Sequence, residues 1–252
     1  MNYFSHVSAA QRYAIARPYF HPKAVAVLLE AAKTMRFASA LDVATGTGMG
    51  ARALLEVCDQ VTGCDLSPEM LAHARATVPG ASFIEAPAEA LPVPESSVVL
   101  VTTFLAFHWF DQARFLEEVR RVLEPGGYLM ICNHHALATL RDHPAFKVWA
   151  DGFYANYPTP PRNSSIVGTG DAQRFGFDLI AQSSFEDEFW MNATEVAAYI
   201  STQSNIIAKV EQGGERLEDI CKTIQCGVQP LLGQARGAFG FRGSVWVLRS
   251  GE

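Results

Sequence analysis

Gly46, Gly48 and Gly50 follow an apolar run that closes on Asp42-Val43-Ala44. Glycines placed where a parallel strand turns into a helix let the backbone approach a ligand closely. A second acid, Asp65, closes the next apolar run, where a carboxylate can accept both hydroxyls of a ribose. Together these residues read as a nucleoside pocket at the carboxyl ends of two neighbouring strands. The plainer alternative is a tight strand-to-helix turn beside a helix-capping aspartate. Two further groups carry chemistry. His108 and Trp109 lie in Phe104–Asp111. The imidazole, which titrates near neutrality, suits hydrogen bonding to a substrate oxygen or removal of its proton, and the indole suits a pocket wall. Their alternative is a structural pair packed under a cap. Near the start, Arg17 suits bidentate binding of a carboxylate and Tyr13 suits closure of the site, against a surface arginine in a helical turn. The tandem His134-His135 points its two rings apart, which argues against a metal pair and leaves one ring for substrate. No cluster of metal-binding carboxylates stands out.

These residues need a scaffold, and the hydrophobic pattern supplies one. Short apolar runs alternate with helical segments, as in a parallel sheet covered by helices. Strands are expected at 40–44, 60–66, 81–86, 97–106 and 128–133, and again at 184–191 and 244–248. Helices are expected at 48–58, from Ser67-Pro68-Glu69 onward, and at 113–123, the last ending at the Glu124-Pro125-Gly126-Gly127 break. Helical patterns also cover 194–207 and 216–225. Between residues 136 and 165 the pattern changes to an aromatic-rich helix (Phe146, Trp149, Phe153, Tyr154, Tyr157), a Pro-Thr-Pro-Pro stretch and a polar tract. Those aromatics, with Trp190, suit either an apolar acceptor pocket or the cap's own small core.

Charge narrows the ligand. Asp42 precedes the glycine turn and faces the far end of a bound nucleoside. A carboxylate there repels a pyrophosphate and attracts an ammonium group, which favours S-adenosylmethionine over NAD. The segments LDVATGTGMG, VTGCDLSPEML, AEALPVPESSVV and EPGGYLMI, in that order, resemble the motifs of class I S-adenosylmethionine-dependent methyltransferases across roughly residues 38–135. The N-terminal segment and the His-Trp pair are similar to those of small-molecule carboxyl methyltransferases acting on trans-aconitate-like acids. The resemblance implies a Rossmann-like, seven-stranded, mostly parallel sheet with helices on both faces and an antiparallel last strand, plus a helical cap. It also implies that Ala44, Gly46 and Gly48 line the methionine tail and that Asp42 organises its ammonium group. Asp65 and Leu66 would meet the ribose, Ala88 and Glu89 the adenine, and Phe104 the edge where the methyl group is presented. Pro87 departs from the family pattern, since it offers no side-chain acceptor to the adenine amino group; a backbone carbonyl of Ala86 or Pro87 would replace it.

The implied organisation is an N-terminal helical lid (1–37), a cofactor-binding core (38–135), a helical cap insertion (136–183) and remaining core strands with further cap helices (184–252). The implied reaction is in-line methyl transfer to a small-molecule acceptor, at the oxygen of a carboxylate or hydroxyl. Carbon or nitrogen methylation in a natural-product pathway, a noncatalytic nucleotide-binding module and an NAD-dependent oxidoreductase are the alternatives. With 20 basic against 26 acidic side chains in 252 residues, the net charge of −6 disfavours nucleic acid. The absence of an Asn/Asp-Pro-Pro-Tyr-like motif after the fourth strand disfavours it further. No apolar run is long enough to span a bilayer, and the first ten residues do not read as a signal peptide. Five cysteines, an odd number with none at the two-residue spacing of zinc or redox motifs, suggest a reducing, cytoplasmic setting, and the chain is expected as a monomer or homodimer.

Overall fold

The computed structural model describes residues 7–163, 168–211 and 213–251. The first six residues and the polar tract around Ser164–Ser165 lie outside that description. In chain order the elements are α1 (Val7–Ala16), α2 (His21–Ala32), β1 (Phe37–Val43), α3 (Met49–Leu54), β2 (Cys58–Asp65) and α4 (Pro68–Thr77). Then come β3 (Ser82–Glu85), β4 (Val98–Phe104), α5 (Gln112–Val122), β5 (Leu123–Leu140) and α6 (Ala145–Tyr154). The remainder comprises α7 (Thr169–Arg174), β6 (Phe177–Met191), α8 (Ala193–Ile200), α9 (Ser204–Glu211), α10 (Leu217–Leu232) and β7 (Gly237–Ser250).

The strands form one seven-stranded sheet in the order β3-β2-β1-β4-β5-β7-β6, mostly parallel with one antiparallel strand. The registers explain how the sheet makes a site. Asp42 stands opposite Gly63 on one side and Thr102 on the other, and Phe104 pairs with Cys132. Asp65 pairs with Glu85. The carboxyl ends of β1, β2 and β4 therefore finish along one edge, level with Cys132 of β5, the usual ligand edge of an open α/β sheet.

Local chemistry fixes the entries to the helices. Ser67 accepts a hydrogen bond from the Met70 N–H at 3.2 Å and Pro68 opens α4, as the Ser-Pro-Glu signature predicts. Asp111 caps α5 by accepting from the Arg114 N–H at 3.3 Å, and Phe115, Leu116, Val119 and Val122 are buried along one face of that helix. The expected break at Glu124–Gly127 is a bulge inside β5. Val98 pairs with Leu123 and Leu100 with Tyr128, so the intervening residues are extruded while Gly126 takes φ +75°. The late strands begin seven residues earlier than expected, at Phe177 and Gly237, because polar alternation conceals the first half of β6 and glycines interrupt that of β7.

The chain divides into two compact units. The sheet unit contains Tyr19–His134, Arg162–Phe185 and Gly243–Glu252. Its core includes Leu41, Val101, Phe115, Leu129, Phe177 and Leu248. The helical unit contains the segment ending at Pro18, His135–Pro161 and Glu186–Arg242. The expected 1–37 segment is thus split. α2 belongs to the sheet unit, with His21, Ala24, Val25 and Leu28 buried. Phe146, Phe153 and Tyr157 lie in the helical unit's own core with Ile206, Ile224 and Phe241, so this part of the aromatic-rich segment is structural. No described helix is long and apolar enough to cross a membrane.

Candidate active site

The turn after β1 carries a run of left-handed backbone. Ala44, Gly46 and Gly48 have φ of 55°, 56° and 84°. Such a conformation is costly for alanine and persists only where its surroundings enforce it. Here the Thr45 N–H donates to the Cys64 carbonyl and the Gly48 N–H to the Thr45 carbonyl, both at 2.9 Å. The three glycines serve three purposes. A Cβ on Gly46 would meet nothing within 4 Å, so this residue opens onto free space. A Cβ on Gly48 would lie 3.1 Å from Ala74 and Val78, so Gly48 allows α4 to approach the turn. At Gly50 a Cβ would fall 2.6 Å from Asp42 Oδ2 and 2.7 Å from the Phe104 ring.

The two acids differ. Asp65 Oδ2 accepts from the Gly46 N–H at 2.8 Å and Oδ1 from the Ser67 N–H at 2.9 Å. One carboxylate thereby ties the glycine turn to the start of α4. It remains only partly covered, and its four lone-pair sites are not all taken, which leaves acceptor capacity for a hydroxyl. Burial raises its pKa, opposed by hydrogen bonds from the backbones of Ser67, Gly46 and Leu66. Asp42 is buried completely. The Thr45 hydroxyl donates to Oδ2 at 2.6 Å and the Thr102 hydroxyl to Oδ1 at 2.7 Å. Burial lifts its pKa to about 6 despite these bonds and one from the Ala51 backbone.

On the expected adenine side, Ala88 is buried and Glu89 Oε1 accepts from the Asp111 N–H at 2.9 Å. The Pro87 carbonyl is engaged by the Ala90 N–H at 3.3 Å, and the Ala86 N–H donates to the Asp65 carbonyl. Glu118 accepts from the Leu91 N–H while Arg121 donates to the carbonyls of Leu91 and Val93, so α5 clamps this loop. Leu66, at the end of β2, is 55% exposed.

Beyond β4, Leu105 is again left-handed (φ 61°) and Phe107–Trp109 make a single 3₁₀ turn. His108 and Trp109 sit with ring centroids 4.7 Å apart. The Arg162 guanidinium lies 5.2 Å over the Trp109 ring, and the Asn163 N–H donates to the His108 carbonyl. Burial, then the Arg162 charge, pushes the His108 pKa down to about 4. His108 is therefore neutral at pH 7, able to hydrogen-bond but a poor proton acceptor.

The helical unit holds Tyr13 and Arg17. Arg17 lies 4.7 Å over the Tyr13 ring and 5.4 Å from that of Tyr199, and it donates to the Thr202 carbonyl at 2.8 Å. Trp190 is 55% exposed, its ring 6.0 Å from the Arg141 guanidinium, and it is not in that unit's core. Of the tandem histidines, His134 is buried in the sheet unit against Phe20, whereas His135 is exposed in the helical unit. His21, which follows Tyr19-Phe20 and opens α2, carries no motif and is not singled out by sequence reasoning. Its only signal is an imidazole within an aromatic cluster just before a proline. Among the described residues no group of three or more His, Cys, Asp or Glu is placed to hold a metal ion.

The sheet unit fits S-adenosylmethionine on its own geometry. Gly46 is open, Asp65 has lone pairs for ribose hydroxyls, and Asp42 is an acid at the floor of the turn. Comparison with known proteins agrees. Residues 41–131 match the family described as methyltransferase domain. An uncharacterized methyltransferase of Mycobacterium tuberculosis is 39% identical over 122 residues, 48% of this chain and 49% of that protein. A Mycolicibacterium smegmatis protein described as a probable S-adenosylmethionine-dependent methyltransferase is 35% identical over 107 residues, 41% of this chain and 42% of its own. The matched region thus spans about half the length of these relatives or less. The solved structure of a candidate type II methyltransferase from Anaeromyxobacter dehalogenans superposes with a TM-score of 0.67 at 24% identity, over 94% of this chain and 97% of that one. That likeness concerns the fold.

Proposed function

We propose that this chain, whose residues 41–131 form a class I S-adenosylmethionine-dependent methyltransferase domain, methylates a small-molecule acceptor at oxygen, with a carboxylate as the preferred group. When bound, S-adenosylmethionine supplies a methyl group carried on a sulfonium, which needs alignment with a nucleophile more than it needs activation. Gly46 and the backbone around it receive the cofactor's tail, Asp65 holds the ribose, and the clamped loop at Ala88 covers the adenine. Phe104 and the turn after it form the edge facing the acceptor. His108, kept neutral, orients an acceptor oxygen by a hydrogen bond, and Trp109 walls the pocket.

The observation that carries the oxygen reading is the placement of His108, half-buried in the turn after β4 against Trp109, which in turn carries the Arg162 guanidinium, a setting that disfavours its protonation. A carboxylate has no proton to lose, so a weak base suffices, whereas an aliphatic carbon acceptor needs a strong one. Arg17 is proposed for acid recognition on its chemistry alone, as a guanidinium that the helical unit holds through Tyr13, Tyr199 and the Thr202 carbonyl. The acidic net charge supports a small solute over a nucleic acid, and the cysteines, all free, support a cytoplasmic setting.

The test is a transfer assay with methyl-labelled S-adenosylmethionine against small carboxylic acids, phenols and amines. The expected product is a base-labile methyl ester. Arg17→Ala should lower kcat/KM for acids by about ten-fold or more, as for a lost charged hydrogen bond, and spare neutral acceptors. A base-stable product on carbon or nitrogen contradicts the oxygen assignment, and an equal loss with neutral acceptors removes Arg17 from acid recognition.

A further inference from the structure

His21 is the first residue of α2, and its side chain is 5% exposed with no hydrogen-bond partner on Nδ1. Leaving such an atom buried and unsatisfied costs about 1–3 kcal/mol, so a folded chain that keeps one has a use for it. The ring is held by aromatic contact. Its centroid lies 4.2 Å from that of Phe20 and 4.8 Å from that of Phe104. Phe20 also stacks on His134, two residues beyond the β5 partner of Phe104, at 4.0 Å and 6°. The cluster adjoins the acid of the glycine turn, because the Phe104 ring and Asp42 Oδ2 both approach the same face of Gly50, where a Cβ would stand. Burial, with the neighbouring His134, keeps His21 neutral, so one of its ring nitrogens has a lone pair to offer.

Asp42 cannot meet an ammonium group alone. Its oxygens already accept from Thr45, Thr102 and the Ala51 backbone, and it is enclosed by Gly50 and Phe104. A cation arriving at this end needs a second acceptor, and His21 on α2, whose ring packs on Phe104, holds one without a partner.

We propose that His21 is a cofactor-binding residue whose Nδ1 accepts a hydrogen bond from the α-ammonium group of S-adenosylmethionine. This rests on reading the sheet unit as the cofactor site. In this arrangement Asp42 sets the negative potential and shapes the turn from below, while His21 makes the direct contact. The hydrogen of the imidazole is then on Nε2.

Calorimetric titration tests the assignment with three probes. S-adenosylmethionine and S-adenosylhomocysteine carry the ammonium group, whereas 5′-methylthioadenosine keeps the adenosine and sulfur but has no amino-acid tail. His21→Phe preserves the aromatic stack and removes Nδ1. It should weaken both tailed ligands by about ten-fold or more and leave methylthioadenosine within about two-fold. His21→Asn, which restores a polar acceptor at a similar reach, should recover most of that loss. Unchanged affinity for all three ligands overturns the proposal. So does an equal loss for all three, or a loss confined to S-adenosylmethionine, which would point to the sulfonium. If His21→Phe does not fold, His21→Leu takes its place in the same comparison. Failure of the wild-type chain to bind either tailed ligand refutes the cofactor reading itself, and the role of His21 with it.

Discussion

At the carboxyl edge of the sheet unit, side-chain fit counts for less than backbone shape. Ala44 and Leu105, the residues directly after β1 and β4, are both left-handed without being glycine. Asp65 accepts from the backbone N–H groups of Gly46, Leu66 and Ser67, and His21 keeps a buried nitrogen without a partner. The helical unit is organised differently. α8 starts with a complete capping box between Asn192 and Glu195. The Tyr157 hydroxyl donates to Glu215 at 2.8 Å, and Asn205 donates to the Tyr157 carbonyl at 2.9 Å. These bonds resolve polar groups around an aromatic core. The contrast teaches that the turns after β1 and β4 are shaped by backbone conformation, while these contacts of the helical unit pair polar groups around apolar packing.

The glycine turn gives the largest effects by which to break this comparison. Gly50→Ala drives a methyl group into Asp42 and Phe104 and should destabilise the chain by about 1–3 kcal/mol, seen as a lower denaturant midpoint. Gly46→Ala meets open space, so its stability cost should be smaller, about 1 kcal/mol from the positive φ. Its loss of S-adenosylhomocysteine affinity should nonetheless be clear. If Gly46→Ala destabilises as much as Gly50→Ala, the turn is a packing device and the open face has no ligand role.

An intermediate effect appears on acidification. His21 is held at about 3 in the fold against roughly 6.5 in an unfolded chain, so the unfolded state takes up protons first as pH falls. The stability that neutral His21 supplies is full above pH 7 and declines from about 6.5 downward. His108, held at about 4, acts with the same sign. Asp42 opposes them, because its carboxyl, at about 6, protonates in the fold before it does in the unfolded chain. The difference between wild type and His21→Phe therefore isolates His21. Between pH 7 and 5 the wild type should lose about 2 kcal/mol more than the variant in urea unfolding. Parallel pH profiles would place His21 in contact with water.

The smallest effect belongs to the helical unit. Tyr157→Phe removes one hydroxyl bond to Glu215 and should cost about 1 kcal/mol of stability, with S-adenosylhomocysteine affinity unchanged. A fall in cofactor affinity from this change would erase the division between ligand edge and supporting unit.

The sequence exposed the parts of the molecule that local chemistry decides. The glycine turn, Asp65, the Ser67-Pro68 cap and the continuous apolar run of β4 each carry their instructions within a few residues. Their strand order and shared edge follow from parallel crossovers. The early start of β6 escaped because solvent-facing positions alternate with buried ones there, as in Phe177-Asp178-Leu179, and that of β7 because glycines interrupt its buried apolar start, Gly237-Ala238-Phe239-Gly240-Phe241. The aromatics of α6 left their role open, because periodicity shows that a face is buried but not what covers it. His21 escaped for a different reason. Its chemistry arises from Phe20, Phe104 and His134, which only the fold brings together. Glu89 also gains its visible role, bonding the Asp111 backbone, from a tertiary contact.

The central claim is that Asp65 both ties the Gly46 turn and receives the cofactor's ribose. Calorimetric titration of wild type and Asp65→Asn with S-adenosylhomocysteine tests it most directly, because asparagine keeps one acceptor oxygen for the turn while losing the charge. The account predicts micromolar binding by the wild type and a loss of about ten-fold or more in a variant that remains folded. Equal affinity in the two proteins would contradict it and leave Asp65 as a brace for the turn alone.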